Sequence, residues 1–291
     1  MTDMHPQTPA ASVIIPAHDE AKVIDRCLQS LQDSGLPLEV VVAANGCTDD
    51  TVARARRHTG VTVLDLPTPS KVQAINAADA VATAFPRIYL DADIVLDRGA
   101  LAAMVEALQT EEPRAAAPQV HFATRGASWP VRAFYDVFSQ LPYVQDKLVG
   151  LGVYGMSRAG RARFVTFPDL LGDDLFAQRI FSLDEREIVD GTFEVQVPRT
   201  LRQLVKVRTR VARGNAQLAE EDPGAMVDDG RTTDFSTSTR STSRALVDLL
   251  RRRPTLIPAA VVYVLVTAYA RRAASRTSPA AQTWERDTST R

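Results

Sequence analysis

Short apolar runs alternate with helix-like segments through the first 110 residues, and this order limits the possible fold more than any other feature of the chain. The runs are residues 12–16, 38–43, 61–66 and 87–90, and the segments between them have helical periodicity. The runs are rich in β-branched residues and carry little charge, as strands buried on both faces do. Strands in this order are usually parallel and joined by right-handed helical crossovers. The sequence therefore predicts an α/β fold with a mostly parallel central sheet flanked by helices.

Composition and charge place the chain among ordinary globular proteins. Of its 291 residues, 45% are hydrophobic and 24% are charged, which is enough apolar material for a large core. The formal net charge of −1 argues against nucleic acid as a partner, because nucleic-acid-binding proteins usually carry a strongly basic face. Cys27 and Cys47 have no metal-site spacing, so we expect reduced thiols in a cytoplasmic protein, with a single disulfide as the alternative. The first ten residues contain no apolar segment, and no signal peptide is predicted.

The second half of the chain has a less regular pattern. Residues 150–157 resemble a strand with glycines at close approaches, residues 173–181 a helix with an acidic first turn, and residues 199–218 a basic helix. From residue 221 to 243 the composition changes to Asp, Gly, Ser and Thr with few apolar side chains, which is typical of a flexible linker. The sequence therefore predicts a folded domain over residues 1–220 that is followed by this linker.

An uncharged run follows the predicted linker. Residues 254–270 contain no charged side chain, and arginines flank them at 251–253 and at 271–272. The run is slightly shorter than the roughly 20 residues of a spanning helix. We predict a C-terminal helix over residues 244–275 that associates with a membrane surface, either spanning it or lying on it, and a disordered tail over 276–291. The alternative is a packing helix or a contact between copies of the chain.

Two carboxylates follow the fourth predicted strand. Asp91 and Asp93 stand one residue apart, directly after the apolar run 87–90. In open α/β sheets, ligands bind beyond the carboxyl ends of the strands. Carboxylate oxygens suit Mn²⁺ or Mg²⁺, which typically bind one or two carboxylates together with substrate phosphates. The placement favours a divalent metal site over the alternative, a solvated acidic turn.

Three segments, in order along the chain, carry a family resemblance. They are PAHDE at residues 16–20, ANGCTDD at 44–50 and DAD at 91–93. Their order and spacing resemble the family 2 glycosyltransferases of the GT-A fold, over residues 10–215. The resemblance implies a GT-A nucleotide-binding fold that transfers a sugar, with inversion, from a UDP- or GDP-sugar to a hydroxyl of a glycan or lipid acceptor. It also implies Mn²⁺ or Mg²⁺ as the cofactor.

The resemblance assigns donor contacts to the positions that match. Asp93 stands at the metal ligand, and Asp91 at a second metal contact or a ribose contact. Lys71 matches a basic residue that approaches the donor ribose or phosphates. The full set of donor-binding candidates is Pro16, His18, Glu20, Asn45, Asp49, Lys71, Asp91, Arg210 and Arg213. The family often has two acids where this chain has Ala44 and Asn45, so the choice between UDP and GDP stays open.

The resemblance also assigns a catalytic base, in the segment GDDLF at residues 172–176. The family pattern places its base at the second acid, which is Asp174 here, with Asp173 as the neighbouring rival. A carboxylate at that point would take the proton of the attacking hydroxyl. The alternative is an acidic helix N-terminus that is stabilised by the helix dipole.

Arg210 and Arg213 lie with Lys206 on one face of the predicted basic helix. Some family members have an arginine-rich segment here that closes over the diphosphate, and arginine suits phosphate through its forked donors. The alternatives are a solvated basic face or one that meets an anionic membrane. We expect a cytoplasmic protein at the inner face of the cell membrane. A non-catalytic nucleotide-sugar-binding protein and a sugar-phosphate nucleotidyltransferase are the alternative functions.

Overall fold

The computed structural model describes residues 8–141, 144, 150–169, 172–220 and 238–276. Within these residues the chain forms two compact units. The first unit takes its described residues from 1–120, 149–169 and 184–194, and the second takes them from 121–148, 170–183 and 195–291. Each unit therefore combines segments that are far apart in the sequence.

A seven-stranded sheet provides the core of the first unit. Its strands are β1 (Ala11–Ala17), β2 (Leu38–Asn45), β3 (Val61–Leu66), β4 (Arg87–Leu90), β5 (Ala115–Ala123), β6 (Val153–Met156) and β7 (Arg186–Gln196). Their order across the sheet is β3-β2-β1-β4-β6-β5-β7. β1 pairs in parallel with β2 and β4, and β2 pairs in parallel with β3, whereas β6 is antiparallel to β4 and β5. The predicted mostly parallel sheet is confirmed, with an antiparallel part that begins at β6.

Helices flank this sheet, as the alternating pattern predicts. Those of the first unit are α1 (Ile24–Gln32), α2 (Thr51–Ala55), α3 (Lys71–Val81), α4 (Arg98–Leu108) and α6 (Arg158–Arg161). Side-chain caps define where three of them begin. Ser70 accepts the Gln73 N–H at 3.3 Å at the start of α3, Asp97 accepts the Ala100 N–H at 2.8 Å at the start of α4, and Ser157 accepts the Gly160 N–H at 3.1 Å at the start of α6. Such a cap typically contributes about 1 kcal/mol.

Strands β5 and β7 have weak signals in the sequence. β5 contains Pro118 and four alanines, which are uncommon strand residues. β7 is interrupted by Gly191, which has φ 100°. A Cβ at Gly191 would lie 2.7 Å from the Cα of Ala100 in α4, so the close approach of β7 to that helix requires glycine.

The second unit is helical where the structure describes it, apart from the last residues of β5 and β7. Its helices are α5 (Trp129–Phe138), α7 (Asp173–Arg179), α8 (Leu201–Glu220), α9 (Ser238–Arg252) and α10 (Ile257–Ala274). α10 packs against α5 and α8. The ring centroid of Tyr263 in α10 lies 5.2 Å from that of Phe134 in α5. The C-terminal helix is therefore part of the core of this unit along one of its faces.

The C-terminal segment, predicted as one helix over residues 244–275, is divided into two. α9 ends at Arg252, a 3-10 turn spans Pro254–Leu256, and α10 follows. Pro254 has no N–H and its ring clashes with the preceding helical turn, which explains the break. Of the predicted linker 221–243, residues 221–237 lie outside the described residues, and α9 begins at Ser238. The tail beyond residue 276 also lies outside them, and the domain boundaries stay predictions.

Glu39 fastens the edge of the sheet at which β1 and β2 begin. Its carboxylate accepts hydrogen bonds from the Ser12 hydroxyl at 2.5 Å, the Thr83 N–H at 2.7 Å and the Ala84 N–H at 2.9 Å. Partial burial by itself raises the pKa of Glu39, but these donors outweigh it and lower the pKa to about 2. Because the folded pKa lies below the unfolded one, the ionised carboxylate stabilises the fold above pH 4.5, and this stabilisation is lost as the pH falls towards 2.

We expect Glu39→Gln to lower the free energy of unfolding at neutral pH by about 1–2 kcal/mol, because a neutral amide accepts weaker hydrogen bonds than a carboxylate. The variant should also lose part of the acid-induced decrease in stability that the wild type shows below pH 4.5. Urea denaturation followed by circular dichroism, at neutral and at acidic pH, measures both effects. Glu106→Gln, at an exposed position of α4, is the matched control. An unchanged pH dependence in Glu39→Gln would contradict this role of the carboxylate.

Candidate functional site

Polar residues gather where β1, β2 and β4 end. β1 is hydrogen-bonded to β2 on one side and to β4 on the other, so the carboxyl ends of the three strands lie at one edge of the sheet. The loop after β1, the turn after β2 and the acid pair after β4 all start from this edge. The structure therefore brings together the three motifs on which the sequence prediction depends.

Asp19 joins the loop after β1 to the turn after β2. Its carboxylate accepts hydrogen bonds from the Thr48 N–H at 2.6 Å and from the Asp49 N–H at 3.2 Å. Burial acts to raise the pKa of Asp19, but the hydrogen bonds from Thr48 and the nearby His18 lower it on balance. Asp19 has φ 53°, in the left-handed region that aspartate tolerates better than most side chains. The ionised carboxylate thus holds two loops in one arrangement.

Glu20 and Asp49 lie within the same two segments. Glu20 is 5% exposed, and its N–H donates to the Thr51 hydroxyl at 2.6 Å. Asp49 accepts the Ala21 N–H at 3.1 Å and the Thr51 N–H at 3.0 Å. These bonds link the loop after β1 to the first residue of α2, beside the strand ends where the donor contacts are predicted.

The Asn45 side chain is buried and bonded to the backbone of three segments. Its amide nitrogen donates to the carbonyls of Ala17 and Ala43 at 2.8 and 3.2 Å, and its oxygen accepts the Ser70 N–H at 3.0 Å. The side chain therefore fastens the ends of β1 and β2 to the N-cap of α3. A donor contact by Asn45, as predicted, would have to come from its backbone.

Pro16 and His18 occupy the end of β1. Pro16 is buried inside the strand, opposite Ala43 of β2. His18 is half-buried, and its Nδ1 lies 2.7 Å from the carbonyl oxygen of Asn45. With a proton on Nδ1, the ring donates to that carbonyl, and this contact orients the imidazole at the sheet edge.

His18, Asp19 and Cys47 also have potential metal-ligand atoms within 4.8 Å of one another. Both oxygens of Asp19 accept hydrogen bonds from the Thr48 hydroxyl, and the Nδ1 of His18 contacts a carbonyl. These atoms hold the two loops together, and the acid pair stays the predicted metal site.

The acid pair follows β4, as predicted. Asp91 and Asp93 are both half-buried, and the Nζ of Lys71 lies 2.8 Å from Oδ1 of Asp91. Lys71 is the first residue of α3, directly after the cap Ser70. The side chains of this ion pair are 30% and 37% exposed, so solvent screens it and its contribution to stability is small. Its value lies in placing an ammonium group beside the acid pair.

Gly152 leaves space beside Asp91. It has φ 104°, and a Cβ there would lie 2.9 Å from Ile94 and 3.4 Å from Oδ2 of Asp91. Its carbonyl accepts the Asp91 N–H at 2.7 Å. On the other side, Arg26 donates to the Asp93 carbonyl at 3.3 Å. The hard oxygens of the two carboxylates fit Mn²⁺ or Mg²⁺, and glycine at position 152 keeps a methyl group away from one of them.

A thiol lies close to the acid pair. Cys27 of α1 is fully buried, with its Sγ 3.9 Å from the carbonyl oxygen of Asp91. Burial first, and then the negative charges of Asp93 and Asp91, raise the pKa of Cys27 far above its ordinary value. It therefore stays a neutral thiol at physiological pH. Both cysteines are free, as expected for reduced thiols.

The candidate base lies at the start of α7, in the second unit. Asp173 is buried, at 7% exposure, whereas Asp174 is half-buried and its Oδ1 accepts the Leu175 N–H at 2.8 Å. Gly172 is the N-cap and supplies no side-chain bond. The greater exposure favours Asp174 over Asp173 as the acid that can meet a ligand, and its role as base stays a prediction.

The predicted basic helix is α8. Lys206 is exposed, and Arg210 and Arg213 are half-buried. Arg208, which lies between them in sequence, stacks its guanidinium over the rings of Phe134 and Phe138 in α5, at 5.5 and 4.9 Å from their centroids. Arg208 therefore contributes to packing through a cation–π contact. The diphosphate contact of Arg210 and Arg213 stays a prediction.

Three residues of the site were not predicted from the sequence: Asp19, Arg26 and Gly152. The signal for Gly152 was present, because its segment was expected to approach another backbone or a ligand closely. Asp19 has only the weak signal of a short acidic side chain in a loop, where it can bond neighbouring N–H groups. Arg26 has none, since its contact is to a backbone carbonyl 67 residues away.

Comparison with known proteins gives a family and a relative. The family model described as glycosyl transferase family 2 matches residues 12–165. The chain is similar to 4,4'-diaponeurosporenoate glycosyltransferase of Staphylococcus aureus, with 27% identity over an alignment of 194 residues; the likeness covers 62% of this chain and 49% of the relative. The chain therefore spans about half the length of the curated relatives it matches.

A solved structure gives the fold. The chain is similar to the mannosyltransferase PcManGT from Pyrobaculum calidifontis, solved in complex with GDP-Man and Mn²⁺. The TM-score is 0.64 at 22% identity, and the likeness covers 93% of this chain and 87% of that one. The predicted GT-A fold is confirmed by this likeness.

We expect Asn45→Asp to lower the free energy of unfolding by about 2 kcal/mol or more, because a carboxylate would face the carbonyls of Ala17 and Ala43 with no proton to donate. Urea denaturation at neutral pH measures the change. Asn215→Asp, at an exposed position of α8, makes the same chemical change and should alter stability by less than about 0.5 kcal/mol. A variant at position 45 that unfolds like the wild type would show that the amide does not fasten these segments.

Proposed function

This chain belongs to glycosyl transferase family 2, and from that premise we propose that it transfers a sugar from a nucleoside-diphosphate sugar to an acceptor hydroxyl. The observation that carries the proposal is the acid pair at the end of β4, with Lys71 2.8 Å from Asp91 and the two loops of the family motifs at the same sheet edge. Two carboxylates that can hold a cation, beside an ammonium group, suit a substrate with two phosphates.

Asp93 and Asp91 are the residues that would hold Mn²⁺ or Mg²⁺ in this proposal. When bound, a divalent cation offsets the negative charge that grows on the diphosphate as its bond to the sugar breaks. Lys71 adds a positive charge at the same place. The Mn²⁺ reported in the PcManGT complex belongs to that protein and supports the choice of cation.

The loop after β1 and the turn after β2 would bind the nucleoside. Asp19 fastens the two segments to each other, so the donor meets a preformed surface instead of two separate loops. Because the Asn45 side chain is bonded to the backbone, selection of the base falls to its neighbours His18, Glu20 and Asp49. UDP and GDP are the two candidate nucleotides of the donor, and a comparison of their binding distinguishes them.

Asp174 is the general base in the proposed reaction. The acceptor oxygen attacks the anomeric carbon, the bond from that carbon to the diphosphate oxygen breaks, and the diphosphate leaves with the electron pair. Asp174 takes the proton of the attacking hydroxyl. Attack on the face opposite to the leaving group gives inversion. The partial exposure of Asp174 at the start of α7 supports this role.

Arg210 and Arg213 would contact the diphosphate in the same proposal. Both lie on α8, which is adjacent to α7 within the second unit. Guanidinium groups bind phosphate oxygens through two parallel donors, which a lysine cannot do. This contact is proposed from the family pattern and from the half-buried positions of the two side chains.

The acceptor is the second substrate of the proposed reaction. The S. aureus relative is a 4,4'-diaponeurosporenoate glycosyltransferase. For this chain we propose an acceptor hydroxyl on a lipid or envelope glycan, reached at the cytoplasmic face of the cell membrane. The arginines that flank residues 254–270 support a membrane location, because basic segments are attracted to anionic lipid.

The two alternative functions have less support. A sugar-phosphate nucleotidyltransferase usually opens with a glycine-rich loop, and the loop after β1 contains His18, Asp19 and Glu20 instead. A nucleotide-sugar-binding protein without catalysis would need no base, whereas this chain keeps the partly exposed Asp174.

A nucleotide panel tests the proposed function directly. UDP, GDP and dTDP are each added with Mn²⁺ or with chelator, and the melting temperature of the full chain is recorded. A ligand that binds only the folded state stabilises it by about 2.7 kcal/mol at a hundredfold excess over Kd. The sugar donor of the stabilising nucleotide is then offered with a panel of lipid and glycan alcohols. Failure of all three nucleotides to raise the melting temperature would remove the donor site and the proposal with it.

We expect Asp93→Ala to abolish metal-dependent nucleotide binding, because it removes one of the two carboxylates proposed to hold the cation. Calorimetry should show strong binding to the wild type with Mn²⁺, and much weaker binding with chelator or in the variant. Asp65→Ala, which removes an exposed carboxylate of β3, is the matched control and should bind like the wild type. Equal affinity in the chelated and metal-loaded wild type would exclude the metal from donor binding.

We expect Asp174→Asn to reduce transfer by at least about 10² while nucleotide affinity stays close to that of the wild type. The amide has nearly the same size, so the change removes the proton acceptor with little effect on packing. Turnover and nucleotide affinity are measured on the same preparations. Asp173→Asn should cost less activity, and its melting temperature is recorded because Asp173 is buried. Full turnover in Asp174→Asn would reject this base, and loss of nucleotide binding would place the acid in the donor site.

A further inference from the structure

Helix α10 has two apolar faces. Its buried residues, which include Tyr263, pack in the second unit, where α10 meets α5 and α8. The opposite face, here called the outer face of α10, is apolar and exposed to solvent. It consists of Ile257, Val261, Val264, Leu265 and Tyr269, which are between 48% and 63% exposed. A helix that is apolar on both faces, with only one of them packed, has a second surface that water solvates poorly.

The outer face is continuous along the helix. Its residues follow one another at intervals of four, three, one and four, so they form one stripe on a helical surface. The 18 residues of α10 extend over about 27 Å. The segment Pro254–Ala274 is long and apolar enough to cross a membrane, and only 28% of its most apolar 18-residue stretch is buried.

Positive charge lies at both ends of this stripe. Exposed arginines precede it at 251–253 and follow it at 271–272, and the sequence from 249 to 276 contains no Asp or Glu. An apolar stripe between two basic ends matches the boundary of an anionic bilayer, where acyl chains lie beneath negatively charged headgroups.

The packing of α10 argues against a spanning helix. Its inner face is covered by α5 and α8. α8 carries Lys206, Arg208, Arg210 and Arg213, and the Arg208 guanidinium lies over the ring of Phe134, which also contacts Tyr263 of α10. If α10 crossed the hydrocarbon with these neighbours attached, it would take their charges into the membrane at a high energetic cost. A helix lying in the headgroup region buries its outer face and keeps the basic groups in water.

We propose that the outer face of α10 docks in the plane of an anionic phospholipid surface while its inner face stays packed against α5 and α8. The docking surface consists of the five apolar residues of the outer face and the arginines at its two ends. The inference rests on the membrane location included in the proposed function, and it is independent of the proposed sugar-transfer chemistry.

Vesicle flotation of the full chain, without nucleotide, tests the docking. We expect binding to vesicles that contain phosphatidylglycerol and much weaker binding to pure phosphatidylcholine. High salt should weaken the binding, because the Debye length falls from about 10 Å at 0.1 M to about 3 Å at 1 M. Alkaline carbonate should release the protein from the vesicles, whereas it would not release a protein with a membrane-spanning helix. Retention after carbonate, or equal binding to both kinds of vesicle, would overturn in-plane docking to anionic lipid.

A substitution that places a negative charge on the outer face of α10 tests whether this surface, and no other surface of the protein, binds the vesicles. Leu265→Glu is expected to lower the partition coefficient at least about tenfold, because the variant cannot bury that side chain among acyl chains. Its position is 63% exposed, so the fold should be kept, which circular dichroism checks. Val165→Glu, at an 87% exposed apolar position of the first unit, is the matched control and should float like the wild type.

Two further measurements distinguish a lipid surface from a second copy of the chain, and the docking from the proposed sugar transfer. Light scattering gives the oligomeric state of the wild type and of Leu265→Glu. A wild-type dimer that the substitution dissociates, without vesicle binding, would assign the outer face to a second copy and reject the lipid. Nucleotide binding is recorded on the same samples. If the wild type binds nucleotide but does not float with the vesicles, the docking alone is rejected. If the wild type floats with the vesicles but binds no nucleotide, the proposed function alone is rejected.

Discussion

The hydrogen bonding of β1 to a parallel strand on each side is the constraint on which the candidate site depends. The register places Ala17 opposite Ala44 of β2 and Ile14 opposite Tyr89 of β4. The acid pair starts two residues beyond Tyr89, so it emerges near the same level as the loop after β1. Three segments that are distant in sequence therefore leave the sheet together, and the side chains of Asp19 and Asn45 fasten the two that follow β1 and β2.

Charged groups around this edge are held mainly by backbone donors. Asp19, Asp49 and Asp97 each accept N–H groups of a neighbouring turn or helix, and Glu39 does the same at the opposite edge. Such bonds are short and directional, and they keep the loops ordered. The Lys71–Asp91 pair is different, because it joins two charged side chains that are both partly exposed to solvent.

Much of the parallel half of the fold could be predicted from the sequence, because buried parallel strands are nearly continuous apolar runs. Residues 61–66 and 87–90 coincide with β3 and β4. The antiparallel half could not be predicted so well. β5 is rich in alanine and contains Pro118, and β7 depends on the contact of Gly191 with Ala100, which is set by tertiary structure. Pro254 is a local signal for the break between α9 and α10, but the long apolar run that follows it favoured the prediction of a single helix.

For the candidate site, the sequence identified the residue types but not their tasks. Lys71 and Asp91 were both predicted, yet their 2.8 Å contact follows only from the way α3 begins beside β4. Asn45 was predicted as a donor contact, whereas its amide bonds three backbone segments that no local pattern brings together. The sequence alone does not distinguish a side chain that binds a ligand from one that hydrogen-bonds to the protein's own backbone.

The unequal surroundings of the two thiols have a practical consequence. Cys27 is sealed in the core beside the acid pair, and burial together with that negative charge keeps it protonated. Cys47 is partly open to solvent in the turn after β2, and partial burial raises the pKa of its thiol as well. A maleimide dye should therefore label the native protein at one position without any engineered cysteine. The fluorophore would sit where the nucleoside is proposed to bind, and its emission would report occupancy in real time.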